Sequence, residues 1–250
     1  MFIYETHLHT KEASACASTY AADYVKFYQQ QGFDGIFITD HFFNGNCAVP
    51  RYPNDWRRMV NDFCLGYEHA KAVGDSIGFP VFFGWESNYQ GDEFLIYGLD
   101  KEWLIEHPDI LTWDRTTQYE KVHQDGGLVV QAHPFRERSY LNTIRLNPDT
   151  CDAMEAYNSG NPTWQNNNAE LYCLNNNIFM TAGSDNHLAG SLTNDKLFGM
   201  AFESPLTDSR DYANRILHHE GTMYVPPHQR ITTGSIHTNL PVITNKKGYS

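Results

Sequence analysis

The chain has 250 residues, of which 41% are hydrophobic and 14% aromatic, so it is long and apolar enough to fold as one large globular domain. Its formal net charge is −12. So acidic a surface excludes long nucleic acid as a partner, because that binding depends on Lys and Arg side chains that neutralise phosphates. No apolar run approaches the ~20 residues of a membrane helix, and the N-terminus lacks the pattern of a secretory signal.

The number and spacing of the cysteines indicate the redox state of the cellular compartment. There are five of them, and no two have the C-x-x-C spacing of a metal-binding or redox pair. An odd number without such pairs is typical of reduced thiols and argues against a disulfide framework or a zinc finger. We therefore expect a cytoplasmic protein. The five residues are Cys16, Cys47, Cys64, Cys151 and Cys173.

Short apolar runs alternate with amphipathic segments along the chain. Strands are predicted at residues 2–5, 35–39, 80–84, 94–97, 128–131, 153–157, 178–181 and 223–225. Helices are predicted at residues 18–31, 54–74, 116–125, 165–175 and 208–218, and the longest loops at 42–53 and 134–148. Apolar strands separated by helices imply a parallel sheet covered on both faces, and this number of strands favours a closed barrel. No compositional break divides the chain, so residues 1–250 are predicted to form a single domain.

Potential metal ligands follow most of these predicted strands. His7 and His9 follow the first, and their i, i+2 spacing in an extended segment points both imidazoles to one side. Asp185 and His187 repeat that spacing after a later strand. Functional side chains of α/β barrels come from these strand ends, and imidazole with carboxylate suits Zn, Mn or Fe. The further strand-end candidates are Glu5, Asp40, His41, Glu86, His133 and Asn158.

Each candidate taken alone has a simpler interpretation. A single histidine beside a strand is usually structural or exposed. Asp40 could be a turn residue and Glu86 could form an ion pair. The metal-site interpretation depends on the set, because independent strands place the same chemistry at one rim.

Five of these segments, taken in order, resemble the motifs of the PHP (polymerase and histidinol phosphatase) superfamily of metal-dependent phosphoesterases. They are residues 5–10 (ETHLHT), 38–41 (ITDH), 84–86 (GWE), 131–134 (QAHP) and 183–187 (GSDNH). The resemblance implies a distorted (β/α)7 TIM-like barrel with two or three divalent metal ions at its C-terminal rim. By position, it implies one metal at His7, His9, Glu86 and Asp185, a second at Glu86 and His133, and a third at His41 and His187.

Three positions depart from the family pattern. Glu5 stands where the family usually has Asp. The family also has an Asp or His shortly after the H-x-H pair, as a ligand of the third metal, and here Glu12 is the nearest substitute and Cys16 a weaker one. The additional histidine of the second metal has no match. Glu93 is the replacement that we expect, ahead of Asp100 and His107.

The resemblance implies hydrolysis of a small phosphorylated metabolite or nucleotide by a metal-activated hydroxide. Arg136 follows His133 by three residues and is predicted to bind a phosphoryl oxygen in catalysis and to take no part in metal binding, although a solvated loop arginine would occupy the same place. Arg145 in the same loop is a second candidate for substrate binding. Asp40 is a candidate catalytic residue or, alternatively, orients a ligand histidine.

Two other functions remain compatible with the sequence. Amidohydrolase-type enzymes also use an H-x-H pair and a late Asp, although no strand-end lysine is present here to bridge two metals. A catalytically silent metal-binding module would also carry most of these ligands. The sequence leaves open the substrate, the identity of the metals and the oligomeric state.

Overall fold

The computed structural model describes residues 1–230 and 234–245. Within these ranges the chain forms eleven strands and seven α-helices. The strands are Phe2–Glu5 (β1), Gly35–Ile38 (β2), Val81–Tyr89 (β3), Asp92–Tyr97 (β4), Leu128–Gln131 (β5), Ile144–Leu146 (β6), Ala153–Asn158 (β7), Phe179–Gly183 (β8), Gly199–Phe202 (β9), Thr222–Tyr224 (β10) and Val242–Thr244 (β11). The helices are Ala21–Gln30 (α1), Trp56–Phe63 (α2), Leu65–Ile77 (α3), Lys101–Glu106 (α4), Arg115–Gln124 (α5), Thr163–Asn176 (α6) and Ser209–Leu217 (α7).

Nine of the strands form one nearly closed sheet, in the order β10-β9-β1-β2-β3-β4-β5-β7-β8. Just beyond β1 and β8, Leu8 bridges to Asn186 in parallel, and the His9 backbone N–H donates to the Asn186 carbonyl at 3.0 Å. This bridge joins the first strand to the last strand of the parallel set at the C-terminal rim. The fold is therefore a distorted TIM-like barrel in one domain, which confirms the fold class predicted from the sequence.

The sheet is mixed, so the expectation of a wholly parallel sheet was wrong. The strands β1, β2 and β3 are parallel, as are β5, β7 and β8, but β4 is antiparallel to both β3 and β5. β9 is also antiparallel to β1. The cause at β4 is a two-residue hairpin at Gln90 and Gly91, which both have positive φ as such tight hairpin turns require. β3 continues well past its predicted end into this hairpin and leaves no room for a crossover helix.

Other differences concern short or interrupted elements. The helix predicted at residues 54–74 is interrupted at Cys64, because α2 packs against α4 whereas α3 packs against α1 and β3. The elements α4, β6, β9 and β11 were not predicted, since three to six residues carry too little periodicity to identify. β6 lies inside the predicted loop at residues 134–148 and pairs with β11.

An aromatic layer between the sheet and α7 supports the rim from below. Its rings have centroids 4.7 to 6.0 Å apart. The Tyr97 hydroxyl donates to the Thr6 carbonyl at 2.6 Å, next to the residues that follow β1. The layer consists of Tyr4, Phe37, Phe82, Tyr97 and Tyr212, all buried. No helix in the described part of the chain is both long enough and apolar enough to span a bilayer.

Candidate metal centre

Histidine and carboxylate side chains from six strands, or from the residues that follow them, converge at the rim where β1 and β8 meet. They form four overlapping groups, and in each group three potential ligand atoms lie within 4.8 Å of one another. The groups are His7, His9 and Asp185; His7, Glu86 and His133; His41, Glu86 and Glu93; and His9, His41 and His187.

Glu86 lies at the centre of the cluster. Its Oε1 is 3.3 Å from Nε2 of both His7 and His133, and its Oε2 is 2.7 Å from His41 Nδ1. Although burial favours the neutral acid, the charges of His7 and His41 hold the pKa of Glu86 well below its usual range. Glu86 is therefore an ionised carboxylate with only 1% of its surface exposed.

Several buried atoms of the cluster lie close to one another but form no hydrogen bond of acceptable geometry. Among the described residues these include both carboxylate oxygens of Glu86, Nδ1 of His41 and Nε2 of His133. A buried polar atom left without a partner costs about 1–3 kcal/mol, and more if it is charged. These unpartnered ligand atoms converge from three strands, and such a set of imidazoles and carboxylates is suited to binding divalent metal cations.

Glu155 supports this cluster and was missed by the sequence analysis. One of its carboxylate oxygens lies 2.9 Å from His7 Nδ1, and the other accepts the His133 backbone N–H at 3.1 Å. A carboxylate on Nδ1 fixes the ring so that Nε2 faces a metal. Gly183 permits this contact, because a Cβ there would lie 2.6 Å from His7 Cβ and 2.7 Å from the Glu155 carboxylate. The signal for it in the sequence was that Glu155 is an acidic residue between the apolar residues Met154 and Ala156 of β7.

Arg136 contacts the ligand candidate Asp185, which the sequence analysis did not anticipate, and its role in substrate binding stays a prediction. Its Nη2 donates to Asp185 Oδ2 at 2.6 Å and to Asn158 Oδ1 at 2.8 Å, and its Nε donates to Asn161 at 2.9 Å. Burial would raise the pKa of Asp185, but the charges of His7 and Arg136 keep it well below its usual range. The guanidinium therefore orients one oxygen of Asp185 and leaves Oδ1 facing His9 at 3.2 Å.

Asp40 lies beside the cluster and contacts the residues that follow β1, and its assignment as a catalytic residue stays a prediction. Its oxygens accept hydrogen bonds from the Thr10 backbone, the Thr10 hydroxyl and the Ser14 hydroxyl, at 2.6 to 2.7 Å. The same Ser14 hydroxyl lies 3.2 Å from His9 Nδ1. Burial outweighs these bonds and raises the pKa of Asp40 to about 6. Asp40 thus holds the loop that orients His9, which is the alternative role considered from the sequence.

The two replacement ligands proposed from the sequence have different environments. Glu93 lies in the cluster, with Oε2 3.4 Å from His133 Nε2 and Oε1 3.9 Å from His41 Nδ1. Glu12 belongs to none of the four groups of ligand atoms, and its assignment as a ligand stays a prediction. The Glu12 carboxylate accepts the Ala21 backbone N–H at 3.0 Å, where it faces the positive N-terminal end of α1.

Cys16 and His187 lie at the open side of the cluster. Cys16 is exposed, and the Ser18 backbone N–H of its loop donates to the His187 carbonyl at 2.8 Å. Burial of the sulfur acts to raise the pKa of Cys16, but the nearby imidazoles of His187 and His41 lower it to about 6. The thiol is therefore close to the thiolate form at neutral pH.

Two ligand candidates have uncommon backbone conformations. His133 has φ of 30° and Asp185 has φ of 52°, in the left-handed region that non-glycine residues seldom adopt. Such conformations cost about 1–3 kcal/mol and persist where surrounding contacts hold them, most often at functional sites. Here the contacts with Glu155 and Arg136 hold the two residues.

No protein-family model matches the chain, and no curated protein sequence is significantly similar to it. Solved structures do match its fold. A two-domain protein from Bacteroides vulgatus ATCC 8482, containing a predicted PHP-like metal-dependent phosphoesterase, matches with a TM-score of 0.60 at 13% identity. The match covers 90% of this chain and 64% of that protein, so the chain spans less than two thirds of its length. This chain has the fold of PHP-like phosphoesterases.

Two further structures support the same fold. A protein from Bifidobacterium adolescentis ATCC 15703 with the provisional name metal-dependent phosphoesterase matches with a TM-score of 0.51 at 16% identity, covering 91% of this chain and 98% of that one. An amidohydrolase from Chromobacterium violaceum, solved with bound sulfate and no metal, matches with a TM-score of 0.50 at 12% identity, covering 90% and 92%. At these identities the similarity concerns the fold, and function has to be argued from the site.

Proposed function

We propose that this protein is a metal-dependent phosphoesterase that hydrolyses a small phosphorylated metabolite or nucleotide. The main observation in support is the cluster around Glu86, in which four groups of ligand atoms converge and the central carboxylate has no hydrogen-bond partner. The similar structures that carry the name phosphoesterase add support from fold analogy alone.

The cluster has enough potential ligand atoms for two or three metal ions. His7, His9, Glu86 and Asp185 would hold the first, while Glu86, Glu93 and His133, whose ligand atoms lie 3.3 to 3.4 Å apart in pairs with His133, would hold the second. A third would be held by the imidazoles of His41 and His187. Bound ions would supply positive charge for the phosphoryl oxygens and an activated water as the nucleophile.

Two arginines beside the cluster would bind the phosphate. Arg136 and Arg145 line one cavity together with His133 and Glu93. The hydrogen bonds of Arg136 use its Nε and Nη2, which leaves Nη1 available for a substrate oxygen. Arg145 is held at the cavity edge by Asp92 Oδ1 at 3.3 Å. A guanidinium in this place can form charge-assisted hydrogen bonds to a phosphoryl group.

A second candidate is an amidohydrolase-type reaction on a C–N bond. It is favoured by the match to the amidohydrolase from Chromobacterium violaceum, and an activated water can attack either kind of substrate. The two guanidinium groups beside the cluster favour an anionic ester instead, because charge-assisted hydrogen bonds to phosphoryl oxygens are stronger than hydrogen bonds to a neutral amide.

The test uses the full chain loaded in turn with Mn, Zn or Fe. A chromogenic phosphomonoester, the corresponding phosphodiester and a panel of N-acyl substrates are assayed, with Glu86→Gln and chelator-treated protein as controls. We expect the metal-loaded wild type to hydrolyse a phosphate ester, and we expect no hydrolysis by Glu86→Gln or by the chelator-treated protein. Hydrolysis of N-acyl substrates alone would assign the amidohydrolase reaction. A metal-loaded protein inactive on all three classes would contradict the proposal and indicate a silent metal-binding module.

A further inference from the structure

We propose that Glu5 is a positioning residue, which bridges the seam of the barrel and so fixes the spacing between His7 and Asp185. The seam is the junction between β1 and β8, the first and last strands of the parallel set. The inference rests on the metal centre of the proposed function but not on the reaction, since a silent metal-binding module would need the same spacing.

The seam has little of the ladder pairing that joins neighbouring strands elsewhere in the sheet. In the order of the described strands, β8 lies at one end, whereas β1 lies between β9 and β2. Backbone pairing across the seam is found in the described residues only beyond the two strands, where Leu8 bridges to Asn186. Side chains supply the other bonds, and one is that of the Thr6 hydroxyl to the Ala182 carbonyl at 2.7 Å. Because ladder hydrogen bonds normally set the distance between strands, side chains have to do so here.

Glu5 spans the seam with a single carboxylate oxygen. Its Oε1 accepts the backbone N–H of His7 at 2.9 Å and the backbone N–H of Ser184 at 2.9 Å. The first donor belongs to a ligand candidate, and the second directly precedes Asp185. Because Glu5 is fully buried, these bonds form in a low-dielectric interior, where they are stronger than in water.

The second carboxylate oxygen of Glu5 is held from helix α1. The Tyr28 hydroxyl donates to Glu5 Oε2 at 2.8 Å and accepts a hydrogen bond from the Asn186 side-chain amide at 3.1 Å. The Asn186 carbonyl in turn accepts the His9 backbone N–H at 3.0 Å. Glu5, Tyr28 and Asn186 therefore form one buried chain of hydrogen bonds, which reaches the backbone on both sides of the seam.

The length of the Glu5 side chain is part of this arrangement. A carboxylate one methylene shorter would be withdrawn by about 1.5 Å, which is more than a hydrogen bond of normal length tolerates. An aspartate at this position would therefore lose Ser184 or Tyr28 as a partner. This chain has Glu at a position where the PHP motif usually has Asp, and Tyr28 is the side chain that meets the longer carboxylate.

One of the two inner ions of the proposed centre depends on the seam. The first ion would take His7 and Asp185 from its opposite sides, and their ligand atoms lie within 4.8 Å of each other. The second would take Glu86, Glu93 and His133 from β3, β4 and the residues after β5, three strands that ladder pairs join directly. Loss of the Glu5 carboxylate should therefore weaken the first ion and spare the second.

The test is competition for Zn²⁺ between full-length protein and a fluorescent chelator, which measures the affinity of each ion. Glu5→Ala should weaken the first ion by about ten-fold to a hundred-fold, the usual effect of losing a residue that orients a ligand, and leave the second unchanged. Glu5→Gln should recover most of the affinity, because its amide oxygen can accept the same two N–H groups. Glu5→Asp should not recover it.

Double variants identify which ion is affected. Glu5→Ala should add little to the effect of Asp185→Ala, because both act on the first ion. It should add its full effect to that of His133→Ala, which removes a ligand of the second ion. General loosening of the barrel would instead weaken both ions equally.

Tyr28→Phe is a milder variant with a matched control. The Tyr157 hydroxyl also donates to a buried carboxylate, that of Glu170 at 2.6 Å, away from the seam. Tyr28→Phe and Tyr157→Phe each remove one buried hydrogen bond from a tyrosine to a glutamate. Only Tyr28→Phe should weaken the first ion, and it keeps the test decisive if Glu5→Ala does not fold.

Three outcomes decide between the inference and the proposed function. Wild-type affinity for the first ion in Tyr28→Phe and in every folded Glu5 variant, or equal losses at both ions, would overturn the inference. Protein that shows the expected affinities without hydrolysing any ester would support the inference and refute only the proposed function. Wild-type protein that binds no Zn²⁺ would refute both.

Discussion

The two halves of the metal cluster differ in how their ligands are supported. We call His7, Glu86, His133 and Asp185 the buried half, and His41 and His187 the open half. In the buried half, a second side chain holds the ligand, as Glu155 holds His7 and as Arg136 holds Asp185. In the open half, His41 is buried but the His187 side chain is 31% exposed.

This difference separates two ways of assembling a site. Buried ligands need buried partners, because an unpaired polar or charged group in the interior costs several kcal/mol. Exposed ligands retain water as an alternative partner and need less support. We therefore expect tightly held ions in the buried half and a more readily exchanged ion in the open half, and four predictions test that difference.

The largest effect is expected for Glu86→Gln. Glu86 contacts ligands of both halves, and an amide cannot neutralise the ions that a carboxylate holds. Loss of several kcal/mol of charge stabilisation corresponds to about a thousand-fold lower kcat/KM. Metal analysis should show the loss of ions from both halves. The comparison variant is His187→Ala, which should keep the ions of the buried half, and equal losses in the two variants would contradict the division into halves.

Glu155→Gln tests the support of the buried half. The amide can donate to His7 Nδ1 or leave it unpaired, and either outcome weakens the orientation of Nε2 toward the ion. Loss of such a partner reduces metal affinity by about 10–100-fold. Competition with a fluorescent chelator measures the affinity. An unchanged affinity would show that the packing of His7 alone sets its orientation.

Arg136→Ala should reduce both metal retention and catalysis. Removing the guanidinium frees Oδ2 of Asp185 and leaves a buried carboxylate without its charged partner. The lost charge-assisted hydrogen bond is worth about 1.5–3 kcal/mol, or about ten-fold to a hundred-fold in metal affinity. Arg136→Lys should recover part of the affinity, since an ammonium lacks the planar fork. Wild-type metal affinity in Arg136→Ala would return Arg136 to a role in substrate binding alone.

The smallest effect is expected for Glu12→Gln, because this carboxylate lies outside the groups of ligand atoms and contacts the backbone of α1. The change should leave metal content and activity as in the wild type. It should lower stability by only about 0.3–1 kcal/mol, because a charge is lost at the N-terminal end of α1. Thermal denaturation and metal analysis of the same sample check both parts. Loss of an ion would restore Glu12 as a ligand.

Much of this site could be anticipated from strand-end residues. The i, i+2 spacing of His7 and His9 brings their Nε2 atoms to 3.0 Å, as expected for an extended segment. Glu93 was placed by its position at the start of a strand and lies beside His133. Glu155 could not be placed in this way, because an acidic residue inside a strand has no local pattern that distinguishes an ion pair from support of a ligand.

The sequence by itself determined the class of fold and the kind of chemistry. Alternation of apolar runs and amphipathic segments implied a barrel, since this pattern reflects burial, which is local in sequence. Histidine and carboxylate side chains at successive strand ends indicated metal binding, because these side chains are themselves potential metal ligands.

Only the tertiary structure decided which residues contact one another across the cluster. The contact of Arg136 with Asp185 and the bridge from Leu8 to Asn186 depend on segments far apart in the chain. Glu12 follows His9 by only three positions, yet its carboxylate faces the N-terminal end of α1. Which way a loop side chain points is set by the surfaces that close around it, and those surfaces exist only in the folded barrel.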